Sequence, residues 1–218
     1  MSDMSEKAPV FLYGADHLTA GKALALARHE LRGILPETVR KKVRSSQEIV
    51  QKIVDNGAPV YGVNTGFGPL CTTRISPEDT RELQFNILKS HSVGVGPPVD
   101  EEIARLMLIL KLHALAQGFS GVSEKTLERI LWHIEEGVTP MVPSQGSVGA
   151  SGDLAPLSHL FLPLIGLGEV THRGERRPAG ELLGQRGLPP IELGPKEGLA
   201  LINGTQFIAA HAVAVLEK

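Results

Sequence analysis

"GSVGASGDLAPLSHL" (residues 146–160) places three glycines within seven residues and follows them with an apolar stretch. Glycine at this density indicates a backbone with positive φ, or a close approach by another group. The following residues predict a helix from Asp153 to about Ile165, because Pro156 is tolerated in a first turn. Pro163 should kink or end that helix.

Three common glycine motifs do not fit this stretch. A P-loop needs Gly-Lys-Ser/Thr, but Gly152 is followed by Asp153, whose carboxylate would repel a phosphate. The dinucleotide fingerprint needs Gly-x-Gly-x-x-Gly, whereas two residues separate each pair of glycines here. A nucleophile elbow needs Gly-x-Ser-x-Gly, and Asp153 stands where its last glycine belongs.

Two interpretations of the stretch remain open. The first is a tight turn capped by Asp153. The second is chemical: the nitrogen of Gly152 attacks the carbonyl carbon of Ala150, ring closure releases one water, and loss of the Ser151 hydroxyl releases another. A small alanine, a serine with a leaving hydroxyl and a permissive glycine suit that strained condensation. The product is an imidazolone with an exocyclic methylene, an electrophile at the positive end of the next helix.

The rest of the chain predicts a mainly α-helical fold with a few short strands. Capping residues, proline and glycine positions and 3.6-residue periodicity locate the helices. In the predicted helix over 100–117, the inward positions are Ile103, Leu106, Met107, Leu110 and Ala114. Other helices are predicted after Thr19, over 37–54, from Ser76 to about Ser90, from Ser123 to Gly137, and over 196–218 with a possible break at Asn203-Gly204. Strands are predicted over 10–13, at the start of 58–70, and in a hairpin over 169–179 around Arg173-Gly174.

Composition excludes several classes of function. The 218 residues carry a formal net charge of −2, without a long basic run, so nucleic acid is not an expected partner. Cys71 is the one cysteine, which excludes a disulfide framework. We expect a cytoplasmic protein, because the N-terminus lacks an apolar signal core and apolar stretches are too short or interrupted to span a bilayer. No His-Glu-x-x-His or paired-cysteine pattern predicts a metal site.

The stretch 146–160 closely resembles the signature of the aromatic amino acid ammonia-lyases, whose Ala-Ser-Gly forms a methylidene-imidazolone (MIO). Four further segments resemble family segments in family order, so the resemblance covers nearly all of 58–218. These are "YGVNTGFGPL" (61–70), "LQFNILKSHSVGVG" (83–96), "ALAQGFSGV" (114–122) and "KEGLALINGTQ" (196–206). The resemblance implies the N-terminal portion of the multi-helical, aspartase/fumarase-like ammonia-lyase fold.

The resemblance also assigns roles to individual residues. Ala150, Ser151 and Gly152 match the cofactor-forming tripeptide. Tyr61 matches the loop tyrosine proposed as general base, although a free phenol has a pKa near ~10 and needs help from the site. Asn203 matches an asparagine that hydrogen-bonds the MIO group or the substrate.

The expected substrate follows from Ser90-His91, which resembles the pair found in histidine ammonia-lyases. An imidazole can hydrogen-bond another imidazole, since each neutral ring offers one donor and one acceptor. Gln206, in "NGTQ", also resembles the histidine enzymes. The implied reaction eliminates ammonia from L-histidine to give trans-urocanate. Tyrosine or phenylalanine ammonia-lyases and aminomutases of the same family are the alternative.

Family members are more than twice as long as this chain. We therefore expect 1–218 to be an N-terminal, MIO-forming portion without the C-terminal helical bundle, and inactive by itself. The resemblance implies a homotetramer for the full-length protein, with active sites shared among chains. A non-catalytic N-terminal module that self-associates is the alternative from another class of function.

Overall fold

The helices of the fold pack around one central helix, α4. The computed structural model describes residues 9–57, 59–66, 75 and 77–216. The helices are α1 (Ala20–Ala27), α2 (Glu37–Asn56), α3 (Pro77–His91), α4 (Glu101–Leu115), α5 (Glu124–Glu135), α6 (Leu154–Phe161), α7 (Ala179–Gln185), α8 (Glu197–Ile202) and α9 (Gln206–Leu216). Helix α4 contacts α1, α5, α6 and α9, and its buried face forms the middle of the hydrophobic core.

Local end signals place most of the predicted helices. Thr19 Oγ1 accepts a hydrogen bond from the Lys22 amide at 3.3 Å, and Ser123 Oγ accepts one from the Thr126 amide at 3.2 Å. Gly57, with φ +70°, ends α2 in the left-handed conformation. The mainly helical prediction is confirmed, whereas α7 was not predicted. The predicted cap Ser76 lies outside the described residues.

The buried stripe of α4 differs from the predicted one toward its C-terminal end. Met107 is buried as predicted, but Leu110 is half-buried and Ala114 is exposed. Lys111 and Leu115 are buried instead. Lys111 and Leu115 continue the four-residue spacing from Met107. Because α9 packs against α4, the inward face of α4 follows these three residues.

Strands in the fold are short. β1 (Val10–Leu12) pairs in parallel with β2 (Arg32–Ile34), and β3 (Val95–Pro98) pairs antiparallel with β5 (Pro143–Gln145). β4 (Thr139–Pro140), β6 (Glu169–His172) and β7 (Glu175–Pro178) form an antiparallel sheet. The hairpin prediction is confirmed, with Arg173 at φ +55° and Gly174 at φ +78° between β6 and β7. β2, β3, β4 and β5 were not predicted.

Two further predictions concern loops. Residues 61–63 form a turn, no strand is present over 59–64, and 58 and 67–70 of that stretch lie outside the described residues. After α6, the chain tightens into a 3-10 turn over Leu162–Ile165, so Pro163 ends the regular helix as predicted.

The predicted break at Asn203-Gly204 separates α8 from α9. Residues Glu197–Leu216 are nevertheless long and apolar enough to cross a membrane, by length and composition only: a window of this segment has a mean hydropathy of 1.6 and is 22% buried. α9 packs along α4, and Ala210 is its one buried residue.

Candidate functional site

The tripeptide lies at the N-terminal end of α6. Ala150 and Ser151 are exposed, and Gly152 is half-buried. Gly152 has φ +112°, and a Cβ built on it would lie 2.6 Å from the carbonyl oxygen of Gly204 and 3.0 Å from its nitrogen. The last residue of the tripeptide is thus pressed against the turn between α8 and α9, an approach that only glycine permits.

Asp153 holds this loop together from a fully buried position. Its amide donates to the Gly204 carbonyl at 2.7 Å. Its Oδ1 accepts from the Ser147 hydroxyl at 2.6 Å, and its Oδ2 accepts from the Ile208 amide at 3.1 Å. The carboxylate makes no cap hydrogen bond to α6. Instead it joins the start of the loop to the first turn of α9.

His91 is the last residue of α3 and is half-buried. Its Nδ1 lies 2.9 Å from the Ile87 carbonyl oxygen and 3.1 Å from the Ser90 hydroxyl. A carbonyl oxygen only accepts, so the neutral tautomer that satisfies this contact carries its proton on Nδ1. Nε2 is then left as a hydrogen-bond acceptor.

The segment after His91 is anchored to α6. Ser92 Oγ lies 3.0 Å from Ser158 Oγ, and the Gly94 amide donates to His159 Nε2 at 3.0 Å. Burial lowers the pKa of His159, which keeps that ring neutral and able to accept. Pairing of β3 with β5 also places Gly94 beside Gly146, where an added Cβ would lie 3.0 Å from Gly94 Cα. The residues that follow His91 are therefore held by α6 and by the start of the tripeptide loop.

Asn203 stands at the turn that Gly152 touches. Its side chain is exposed, and its amide donates to the Leu199 carbonyl at 2.9 Å. Its own carbonyl accepts a hydrogen bond from Lys111 Nζ at 2.7 Å. Next to it, a Cβ on Gly204 would meet Gln206 Oε1 at 2.2 Å, so the Gln206 side chain covers that glycine. Gln206 Oε1 is buried and has no hydrogen-bond partner within the described part of the chain.

Tyr61 lies in the turn over 61–63. Its side chain is 57% exposed, within a turn in which the Val63 amide donates to the Val60 carbonyl. It lines a cavity of about 850 Å³ bordered by α2, Phe119 and Lys196. Residues 150–152 do not line that cavity. Among the described residues, the structure brings together the segments of the tripeptide, His91 and Asn203, and the role of Tyr61 stays a prediction.

Sequence reasoning missed Lys111, which is 2% exposed. Burial lowers the pKa of its ammonium group to about 7. One signal was available, because Lys111 follows Met107 by four residues and so extends the apolar stripe of α4. A lysine on a buried stripe needs a partner, which here comes from a turn 92 residues away. In the described ranges, no group of three or more His, Cys, Asp or Glu side chains is arranged to hold a metal ion.

Known proteins match the chain in sequence and in structure. The sequence model of the family described as "Aromatic amino acid lyase" matches residues 18–218. A histidine ammonia-lyase of Symbiobacterium thermophilum is 50% identical over 194 residues, which cover 89% of this chain and 38% of that protein. The chain thus spans well under half the length of this relative.

Two solved structures superpose closely. Tyrosine aminomutase from Streptomyces globisporus gives a TM-score of 0.89 at 37% identity, over 96% of this chain and 39% of that one. Histidine ammonia-lyase from Trypanosoma cruzi gives 0.86 at 38% identity, over 95% and 40%.

Proposed function

Because the chain belongs to the aromatic amino acid lyase family, we propose that it is the cofactor-forming part of a histidine ammonia-lyase. Its mainly α fold is the N-terminal portion of the ammonia-lyase fold, as predicted. Together with a C-terminal part such as its relatives carry, it would convert L-histidine to trans-urocanate and ammonia. Assembly as a homotetramer and a cytoplasmic location stay predictions from the resemblance and the sequence.

One observation carries the proposal: the C-terminal end of the tripeptide is held against the turn that carries Asn203, and Ser147, before the tripeptide, is bonded to the Asp153 that follows it. The Asp153 amide and carboxylate bind Gly204, Ser147 and the start of α9. Ring closure between residues 150 and 152 needs a loop held in a strained geometry by its surroundings. The positive φ of Gly152 and its contact with Gly204 fit that requirement.

Three side chains of this chain, His91, Asn203 and Tyr61, would act on the substrate. The MIO group, once formed, supplies an electrophile that draws electron density from the substrate and makes its amino nitrogen a better leaving group. His91 Nε2 accepts the N–H of the substrate imidazole, since its Nδ1 proton is engaged by the Ile87 carbonyl. The Asn203 side-chain amide, on the turn that Gly152 touches at Gly204, would donate to the group formed there or to the substrate, as the resemblance implies. We propose Tyr61 as the base that removes the β-hydrogen, on the resemblance alone.

A second candidate has a specific observation in its favour. The superposition with tyrosine aminomutase is as close as that with histidine ammonia-lyase. An aminomutase would return the amine to the β-carbon rather than release ammonia. We favour histidine elimination because the sequence relative at 50% identity is a histidine ammonia-lyase and because His91 can pair with an imidazole.

The test joins this chain to the C-terminal part of the Symbiobacterium thermophilum relative and offers L-histidine, L-tyrosine and L-phenylalanine separately. We expect ammonia release and urocanate absorbance with histidine, and much slower turnover of the other two. Faster turnover of tyrosine, or a β-amino acid product, would replace the proposal by the second candidate. A folded, correctly assembled protein that acts on none of the three would support the self-association module.

Ser151→Ala is the matched control for this assay. It removes the hydroxyl that must leave and changes no contact that holds the loop, because the Ser147, Gly152 and Asp153 bonds do not involve the Ser151 side chain. Activity that survives this substitution would show that the reaction does not need the cofactor.

A further inference from the structure

Lys111 is a buried cation on the side of α4 that faces the site. It is surrounded along its helix by the buried side chains of Met107, Leu108, Leu112 and Leu115. A charged group in such surroundings loses its hydration and needs a polar partner. Its hydrogen bond goes to the main-chain carbonyl of Asn203, at 2.7 Å.

The Asn203 carbonyl belongs to the peptide unit that links Asn203 to Gly204. The next carbonyl, that of Gly204, accepts the Asp153 amide at 2.7 Å. Two consecutive carbonyls of one turn are therefore bound from two sides, by Lys111 from α4 and by Asp153 from the tripeptide loop. A charge-assisted bond to the first carbonyl is stronger than a neutral one, so it fixes the orientation of the Asn203–Gly204 peptide plane. The Gly204 nitrogen of that plane is one of the atoms that Gly152 approaches.

The backbone of the turn leaves the helical conformation at Asn203. α8 ends at Ile202, and Gly204, at φ +159°, is close to fully extended backbone. The conformation of Asn203 (φ −84°, ψ 116°) leaves its carbonyl outside the helical bonding of α8. Without Lys111, that carbonyl would lose its side-chain donor, and the peptide plane would be free to rotate.

We propose that Lys111 is a positioning residue of the site: it clamps the Asn203–Gly204 turn and thereby sets both the contact of that turn with Gly152 and the place of the Asn203 side chain. The part of this inference that concerns ring closure and turnover rests on the proposed function. The part that concerns the turn does not, since it needs only the two bonded carbonyls. Burial lowers the pKa of Lys111 to about 7, and the amino group can donate to the Asn203 carbonyl in either protonation state.

The test compares three variants of the full chain. Lys111→Met keeps the length and volume of the side chain and removes its donor. Lys111→Arg keeps a cationic donor. Arg129→Met is the matched control, because Arg129 is a buried cation (7% exposed) that donates to a main-chain carbonyl, that of Pro189, at 3.0 Å.

The rate of hydrogen exchange at the Asp153 amide measures how firmly the Gly204 carbonyl is held, and it does not depend on catalysis. We expect Lys111→Met to speed exchange of that amide at least about tenfold, while Arg129→Met leaves it unchanged and Lys111→Arg stays near the parent. Equal protection in Lys111→Met and in the parent would overturn the proposal. If Lys111→Met does not fold, the smaller Lys111→Leu, which also lacks a donor, takes its place: faster exchange of the Asp153 amide in Lys111→Leu than in Arg129→Met supports the proposal, and equal rates contradict it.

The catalytic arm uses the protein joined to the C-terminal part of the relative. We expect Lys111→Met to lower kcat for histidine at least about tenfold, because small misplacement of a positioned group is costly, with a smaller change in KM. Rescue by Lys111→Arg separates positioning from a general loss of packing. If the parent protein itself forms no cofactor and releases no ammonia, the proposed function fails, and the exchange result at Asp153 still decides the role of Lys111.

Discussion

Replacing Gly152 by alanine tests the contact on which the site is built. A Cβ at this position would lie 2.6 Å from the Gly204 carbonyl oxygen, an atom that also accepts the Asp153 amide. Gly149 offers a matched substitution in the same loop. Its φ is also positive, at +70°, but the nearest atom to an added Cβ is Ile208 Cδ1, at 3.9 Å.

Both substitutions put alanine at a positive φ, and Gly152→Ala adds a close contact. Alanine near φ +70°, as at Gly149, costs about 1–2 kcal/mol, and at φ +112°, outside the left-handed well, the cost is at least as large. At Gly152 the loop must also move away from Gly204, which breaks the Asp153 hydrogen bond and leaves a buried amide without a partner, at a cost of about 1–3 kcal/mol. We expect Gly152→Ala to lower the free energy of unfolding by about 3 kcal/mol in all, and Gly149→Ala by about half of that or less.

The assay is urea unfolding of the full chain. Both substitutions are made in the Ser151→Ala background, in which no ring can form, so that the comparison measures packing alone. If the two variants differ by less than about 0.5 kcal/mol, the close packing of Gly152 on Gly204 is not what holds this loop, and the reasoning is refuted.

Three further predictions concern substrate, acid stability and surface. His91→Leu should lower kcat/KM for histidine at least about tenfold in the joined protein, through loss of a specific polar contact; unchanged turnover would make Ser90-His91 structural. Burial lowers the pKa of His133 to about 4, so the folded protein excludes a proton that the unfolded chain binds below pH 6.5. The free energy of unfolding should therefore fall by about 3 kcal/mol as the pH falls from 6.5 to 4. In urea unfolding, His133→Gln should reduce this dependence on pH, and an unchanged dependence would contradict the prediction. The exposed apolar side chains of Ile208 and Val215 on α9 should promote self-association, so Ile208→Ser with Val215→Ser should lower the sedimentation coefficient of the full chain, whereas an unchanged value would exclude that face.

Local signals were enough to predict most helices of the fold. Thr19 and Ser123 cap the helices that follow them, and Pro163 ends α6, because each of these effects acts within one helical turn. The short strands were missed where their stability comes from distant pairing. β2 pairs with β1, about twenty residues earlier in the chain, and no local pattern of "RGI" indicates that partner.

The site shows the same division between local and distant causes. The tripeptide and its helix could be read from 146–160, because glycine spacing and the apolar run are local. That Gly152 packs on Gly204, or that Lys111 reaches Asn203, follows from how α4, α6 and α9 pack. The sequence offered a lysine on an apolar stripe as the one hint of the second contact. Its partner is a main-chain carbonyl, which any residue supplies, so no residue type could have identified it.

The most direct test of the account is the intact mass of the folded protein, measured on the chain joined to the C-terminal part of the Symbiobacterium thermophilum relative. Ring closure over residues 150–152 releases one water, and loss of the Ser151 hydroxyl releases another. We expect a mass two water molecules below that of the sequence, and the full sequence mass, apart from the substitution, in Ser151→Ala. A folded, assembled protein with the unmodified mass would contradict the claim that this chain makes its own electrophile.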